Sequence, residues 1–525
     1  MNTESAAGVT PGGHIPGQAI HNYLKNFAHK FGIYERCRFG EEVKIARKTA
    51  TAMGGENGWN LTIQRGAVSY TLKTRRLIVS TGLYTREFMP KFPGAEDFNA
   101  DIIHGSNLLK YSETLFANAK SVTVVGGTKS AWDAAFIFAW KGIHVDMVIR
   151  ESGHGPCWIS APYVTPFKRL IESLVSTRIL TWMSPCVWGD ADGFTGVRRF
   201  LHGTVVGRML VNSYWNFIGK DIITVNGYDK HPETAKLKPW GDPFWVACGL
   251  SALNYPSNFF EFVREGKISV HVADISRLSD KQVHLTSTNG GDLTIFADAL
   301  LCATGFHPVP LIEFLSETGE PYDASTLGFP HTDADDDLIQ EADKEILTRF
   351  PRLKDQPMLN PRYKALVGEN ENENENKNEN KSTDINRPYI LHRFMVPPAF
   401  INDRTIAFGG VASTILTALV SQSQALWMTA YFGGKLKTKF DNIDKLKKEA
   451  ILHARFGRWR CPEVRSGVTP AFAFDSLPYI DLLLEDLGLN KRRKAGMMKE
   501  IFEPYGAPDY VGLVEEWKKL RMDKD

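Results

Sequence analysis

Cysteine is scarce in this chain: six residues, Cys37, Cys157, Cys186, Cys248, Cys302 and Cys461, are scattered over 525 positions with no CxxC pair. That spacing argues against a disulfide scaffold or a zinc site and for a reduced, cytoplasmic compartment. An excess of charge is also missing. Lys and Arg total 62, Asp and Glu total 60, and the net charge is +2. Nothing in that balance calls for nucleic acid, an acidic partner or a membrane surface. The opening MNTESAAGVTPGG has neither a basic start nor an apolar run, so it does not read as a signal peptide. Long apolar runs are lacking too. The most apolar stretch, Thr405–Val420, is short and interrupted by Ser413, Thr414 and Thr417. It reads as a buried core helix rather than a membrane span. Finally, there is no GxSxG and no HExxH, and no Tyr-x-x-x-Lys shortly follows the nucleotide-type unit described below. A hydrolase, a metalloprotease and a plain NADPH-dependent reductase are thereby disfavoured.

What is present is an α/β pattern long enough for two or three folding units. In residues 13–50 a loop leads into an amphipathic helix and then a strand. Ile20, Leu24, Phe27 and Phe31 fall at helical spacing, and Gly32 stands where a C-terminal cap belongs. A strand–turn–strand region occupies about 43–70. The stretch RRLIVSTGLYTREFMPKFPG reads as a buried strand entering a Gly/Pro-rich loop. From Ser121, SVTVVGGTKSAWDAAFIFAWKGIHVDMVIR reads as strand, tight turn, helix and strand, the unit on which dinucleotide binding is commonly built. Residues 151–262 are rich in Trp, Pro, Gly and Tyr and read as a helical insertion. Strands return over 268–303. Residues 368–381, rich in Glu and Asn, have nothing apolar to bury and read as a disordered loop. IAFGGVASTILTALVSQSQALWMTAYFGG then reads as strand, glycine turn and long helix, and the last 80 residues as mostly helical.

The sharpest local signal is Gly126-Gly127-Thr128-Lys129-Ser130-Ala131, between strand and helix. Glycine permits the turn and the close approach of a pyrophosphate, the helix N-terminus offers N–H groups, and Ala131 lets helix and strand pack closely. Thr128 stands where G-x-G-x-x-G/A has its middle glycine: its methyl would crowd a phosphate, and its hydroxyl could bond one. The bland alternative is a plain βαβ turn. Arg150 ends the next strand, where an arginine suits a 2′-phosphate and an acid suits a ribose hydroxyl; neighbouring Glu151 blunts that preference for NADPH. Ser80-Thr81-Gly82 and Ala303-Thr304-Gly305 each end a buried strand at a glycine. As a pair flanking the βαβ unit they point to backbone passing close to a cofactor.

At these residues the chain resembles the flavin-containing monooxygenase superfamily, in particular fungal FAD- and NADPH-dependent monooxygenases of secondary metabolism. The matching text is HIPGQAIHNYLKNFAHKFGIYERCRF, STGLYTREFMPKFPG, VVGGTKSAWDAAF, RESGHGPCWISAPYVTP, ALLCATGF and HRFMVPPAFINDRTIAFGGVAST through QALW. The resemblance implies two Rossmann-like domains, with the FAD domain discontinuous: 1–118 and 296–525 on the FAD side, and 119–295 binding NADPH. It implies FAD and NADPH as cofactors, and insertion of one oxygen atom of O2 into a small organic substrate. The turn Gly126–Ala131 and Arg150 match the NADPH site. Ser80, Thr81 and Gly82 match the link between domains, and Ala303, Thr304 and Gly305 the second crossing near FAD. Gly409 and Gly410 match the opening of a helix aimed at the flavin, on which Gln424 and Trp427 read as packing. Within the family motif F-x-G-x-x-x-H-x-x-x-aromatic, Phe98 and His104 match, whereas Ala100 and Leu108 depart from it. His104 is the candidate for coupling the domains, against the plainer reading of a hydrogen-bonded loop histidine.

Relatives begin with a strand and a G-x-G-x-x-G turn for the FAD diphosphate, and no such text precedes residue 15 here. By resemblance, roughly 70–90 residues are expected ahead of this start, within ordinary domain sizes. The expectation is weak FAD binding by this chain alone. The alternative function is an NADPH-binding pseudoenzyme. The tryptophans 158, 182, 188, 215, 240 and 245 fit either a roomy apolar pocket or a packed insertion.

Overall fold

Continuous runs of Val, Ile, Leu and Met, rather than alternating ones, mark strands covered on both faces. Such runs build the central sheet here. In the computed structural model, which describes residues 15–50, 56–82, 85–164, 169–245, 251–331, 337–357, 360–368, 388–462 and 469–522, the chain divides into two units. One comprises residues 1–77 with 311–322, and the other 78–310 with 323–525. The Glu/Asn-rich segment expected to be disordered lies, beyond Gly368, outside the described residues.

In the first unit the helix Gly17–Lys30 forms as its spacing predicts. Gly32, at φ 61°, closes it. Its N–H donates to the His29 carbonyl, and the Ile33 N–H reaches back to Ala28 at 2.8 Å, the paired bonds of a left-handed glycine cap. The apolar stripe is not covered: Ile20, Leu24, Phe27 and Phe31 are all exposed. Beyond it lies a four-stranded sheet in the order Glu313–Leu315, Glu42–Thr49, Gly58–Arg65, Val68–Thr74. The first pairing is parallel and the others antiparallel. Trp59, Leu61 and Ile63 alternate into its buried face, where Trp59 meets Phe314 edge-on at 6.2 Å.

The second unit is built on a five-stranded, wholly parallel sheet. Its order is Ile268–Val272, His144–Ile149, Ser121–Val125, Ala299–Cys302, Asp101–His104. Two strands, Asp101–His104 and Ala299–Cys302, come from outside residues 119–295, so the sheet is completed by segments on either side. A three-stranded antiparallel meander, Asp274–Ser279, Gln282–Ser287 and Gly291–Phe296, lies between the last two crossovers.

The aromatic insertion is packed, not hollow. Trp158, Ile222, Tyr228, Phe259 and Phe260 belong to the core around the sheet. Trp182, Trp188, Trp215 and Trp245 instead share a core with Phe394, Trp427, Phe472 and Tyr479 from the C-terminal part. Only Trp240 of the six tryptophans stays exposed. Buried charge reinforces the second contact. Arg178 of the insertion is fully buried and bonds to Asp481 at 2.6 Å and Glu500 at 2.8 Å.

Two expectations are corrected. The apolar stretch Thr405–Val420 is not one helix. It comprises the strand Ile406–Phe408, a glycine turn, the short strand Ser413–Thr414 and only the first turn of the helix Thr417–Phe432. The glycines and the hydroxyls of Ser413 and Thr414 favour turn geometry over continued helix. Among the described residues no helix is long and apolar enough to cross a membrane. The reading of the cysteines as reduced is corrected at one position: Cys461 is disulfide-bonded, whereas Cys37, Cys157 and Cys186 are free. The C-terminal helices Ile443–Arg460, Ser476–Leu487, Met497–Phe502 and Leu513–Met522 match the expected helical tail.

Replacing Arg178 by Met strands two buried carboxylates. We expect a loss of about 3–5 kcal/mol, read as a lowered denaturation midpoint in urea.

Candidate functional site

The strand Ser121–Val125 ends in a turn so crowded that two positions admit no side chain. Gly126 sits at φ 142°, and a Cβ there would lie 2.9 Å from the Ala303 carbonyl oxygen and 3.2 Å from the Ala131 methyl. At Gly127 a Cβ would meet the Gly155 carbonyl at 2.6 Å. Thr128 caps the helix Lys129–Trp140 through its backbone; its carbonyl accepts from the N–H groups of Ala131 and Trp132, and its hydroxyl is not used in capping. Ala131 is completely buried, as close helix–strand packing requires. Thr128 and Ser130 are exposed at the mouth of the turn. Among the described residues no hydrogen bond engages the N–H groups of Thr128, Lys129 or Ser130. They form a ready anion site at a helix N-terminus of 12 residues. Lys129 does not add its charge there. Its ammonium is bonded to Asp133 and, at 2.8 Å, to the Asn254 side-chain oxygen, and it lies over the Tyr255 ring.

Arg150 follows the strand His144–Ile149 as predicted. One guanidinium nitrogen donates to the Ser152 hydroxyl at 3.1 Å and the Lys364 carbonyl at 2.9 Å. Glu151, which clouded the choice between cofactors, is turned away. Its carboxylate accepts from the Thr288 N–H at 2.9 Å and from the Thr288 hydroxyl, and pairs with Arg362. Those Thr288 bonds, the hydroxyl's first, hold its pKa below the usual carboxylate value. It stays ionised but committed.

The two glycine-ended strands lie in different sheets, Leu77–Val79 beside Ile406–Phe408 and Ala299–Cys302 in the five-stranded sheet, but the segments that follow them meet. Phe306–His307 pairs antiparallel with Arg86–Glu87, the Thr304 hydroxyl donates to the Phe88 carbonyl at 2.6 Å, and the Phe88 N–H donates to the Gly305 carbonyl at 3.0 Å. His104 fastens this crossing. It is buried at the end of Asp101–His104, with Nε2 2.9 Å from the Gly305 carbonyl and Nδ1 2.8 Å from the Ser106 hydroxyl. A carbonyl carries no proton, so Nε2 holds the hydrogen and Nδ1 accepts from the Ser106 backbone N–H at 3.3 Å. Ser106 and Asn107 both donate to Glu87. This is the geometry of a positioning residue. Ahead of it, Phe98 is fully buried and Asn99 takes a positive φ of 52°.

Gly409 lies against Ser80: a Cβ on it would meet the Ser80 Oγ at 2.6 Å, and its N–H donates to the Val79 carbonyl. Gly82 and Gly410, at φ 72° and 74°, both face open space. The expectation that Gly409 and Gly410 open the long helix is corrected. The helix begins at Thr417, because Ser413–Thr414 first pairs with Ala471–Phe472 and the Thr414 hydroxyl holds the Leu416 N–H. Gln424 and Trp427 are packing residues as read from the sequence, buried and bonded to Tyr479 and Asp486. Thr81 sits beside Gly82 on the same open edge.

A narrow cavity in the C-terminal core is lined by Trp188, Phe394, Phe456 and Phe472, with Arg460 and Asp475 as its charged groups. Nothing in the sequence pattern marked it, since its walls come from three distant segments. Burial pushes the Asp475 carboxyl up to about 6 and the Arg460 guanidinium down to about 10.

With this geometry in hand, likeness to other proteins decides the family. The pyridine nucleotide-disulphide oxidoreductase family matches residues 13–179. An FAD-dependent monooxygenase of Aspergillus sclerotiorum is 30% identical, over 100% of this chain and 88% of its own length. One from Pyrenophora dematioidea is also 30% identical, over 94% and 87%. The chain belongs to the FAD-dependent monooxygenases. Among solved structures, a closed form of cyclohexanone monooxygenase aligns with a TM-score of 0.52 at 14% identity, covering 90% of this chain and 82% of that one. The enzyme from Rhodococcus sp. Phi1 bound to NADP+ aligns at 0.51 with the same identity and coverage. At that identity the likeness is one of fold.

In this monooxygenase the glycine turn, Arg150, the two glycine-ended strands and His104 are the residues that the sequence singled out. It passed over Glu87 and His154, which lie near His104 and Arg150 in the chain, and Asn254, Thr288 and the segment 360–364, which reach these residues from far along it. Two outcomes are expected. Gly127→Ala forces the Gly155 loop aside and costs about 1–3 kcal/mol, measured by chemical denaturation. Asp475 has a folded pKa raised to about 6, so its ionisation weighs against the fold increasingly as pH rises from about 4 to 6. Asp475→Asn should therefore gain on the parent over that window, by at most about 3 kcal/mol, and by no more above pH 7.

Proposed function

We propose that this chain acts with FAD and NADPH to insert one oxygen atom of O2 into a small organic substrate, in secondary-metabolite biosynthesis. The observation that carries the NADPH part is the open helix N-terminus at Thr128–Ser130 beside an arginine whose acidic neighbour is already paired. The residues fit a dinucleotide. The unbonded N–H groups of the turn would hold the diphosphate, and the crowding at Gly126 and Gly127 fixes their direction. Arg150 would take the 2′-phosphate through the guanidinium nitrogens left over from Ser152 and Lys364. Glu151, spent on Thr288 and Arg362, offers little to the ribose hydroxyl of NADH. When bound, the nicotinamide supplies a hydride. His104 holds the Gly305 carbonyl, and through it the crossing that carries Thr304 past Phe88.

FAD fits less completely. Gly82 and Gly410 leave an open edge where backbone could pass a flat ring. No second strand–glycine–helix turn for its diphosphate occurs among the described residues, so no step is drawn through the flavin. The alternative reading is an NADPH-binding chain without flavin.

The deciding measurement is flavin retention. Protein mixed with excess FAD and then desalted should keep a flavin spectrum and oxidise NADPH in air. Colourless protein that still binds NADPH would replace the first reading by the second. Arg150→Ala is expected to raise the KM or Kd for NADPH roughly 10- to 100-fold, the worth of a charge-assisted bond, and to change that for NADH little. Glu151→Gln should leave the preference for NADPH intact.

A further inference from the structure

Residues 360–368 lie across the end of the strand that carries Arg150. The Asn360 side-chain amide donates to the Glu151 carbonyl at 2.7 Å and the Gly153 carbonyl at 2.9 Å. The Lys364 N–H donates to the Ser152 carbonyl, and the Lys364 carbonyl accepts from Arg150, both at 2.9 Å. Farther on, the Val367 carbonyl accepts from Lys91. The Tyr363 ring packs on the His154 ring, with centroids 4.6 Å apart and planes 33° apart. Four bonds thus fix a segment more than 200 residues away onto the one loop that determines nucleotide preference in a βαβ unit.

We infer that Asn360–Lys364 is the second wall of the adenosine site, with Lys364 a 2′-phosphate contact and the Tyr363–His154 pair the surface for adenine. The inference rests on the NADPH reading above. The Lys364 backbone is bonded to the Arg150 guanidinium, so its ammonium, on a flexible four-carbon stem, shares the space that Arg150 serves. The side chain is exposed and free to turn there. The nearby acids are occupied: Glu151 by Thr288 and Arg362, and Asp274 by the Ser152 N–H and hydroxyl. Arg150, Arg362 and Lys364 outnumber Glu151 and Asp274 at this edge by three charges to two. Partial burial and then the Arg150 charge lower the His154 pKa, which leaves an uncharged imidazole beside the phenol. A pair of neutral rings is a stacking surface for a purine. Cofactor preference is then divided between the βαβ loop and a segment outside that unit.

The test is calorimetric binding of 2′,5′-ADP and 5′-AMP to the full chain, without flavin or turnover. Lys364→Ala should weaken 2′,5′-ADP about tenfold, the scale of one charge-assisted contact, and leave 5′-AMP within about twofold. Lys364→Arg should restore most of that loss. Tyr363→Ala should weaken both ligands by a similar factor. If the parent prefers 2′,5′-ADP and Lys364→Ala binds both ligands as the parent does, or loses both equally, the inference is overturned while the NADPH reading survives. A parent that does not distinguish the two ligands overturns both.

Discussion

The structure turns on the absence of two Cβ atoms. At Gly126 the carbonyl of Ala303 comes too close for any side chain, and at Gly127 the carbonyl of Gly155 does the same. Three chain segments therefore meet at one turn: the βαβ unit, the second domain crossing and the loop after Arg150. Glycine is commonly explained by the approach of a ligand. Here it is already required by the protein's own backbone, and the freed helix N–H groups follow from that packing. The open helix N-terminus is a by-product of how the segments are fastened together.

That fastening runs on. Ala303 leads into Thr304 and Gly305, whose hydroxyl and carbonyl take up Phe88 and His104. The Gly155 side leads back to Arg150, Ser152 and the segment Asn360–Lys364. Movement of the crossing would therefore be felt at both ends of a bound dinucleotide. Lys129, the most obvious phosphate ligand in the motif, is diverted to Asp133, Asn254 and Tyr255. Its place in the motif is conventional, and its work is structural.

The tryptophan-rich insertion serves a different end. It divides its side chains between the sheet core and the C-terminal helices, with Arg178 as a buried ionic tie to Asp481 and Glu500. Burying an arginine is tolerable only with both carboxylates present. This tie joins the insertion to the C-terminal helices alongside the apolar contacts.

Sequence alone determined whatever is local. The βαβ unit, the cap at Gly32, the glycine turns that end two strands and the helical C-terminal part are written in periods and turns spanning a dozen residues, and short-range backbone preference governs them. It gave two readings of Thr405–Val420, a core helix from hydrophobicity and a strand, glycine turn and helix from pattern, and the structure follows the second with the short strand Ser413–Thr414 added. It could not decide the role of Glu151. An acid beside Arg150 reads identically whether it faces a ribose or Thr288, and only the return of the chain at residues 286–288 and 360–364 settles which. Those contacts span more than a hundred residues and leave no trace in spacing, because a hydrogen bond constrains its two ends and not the chain between them.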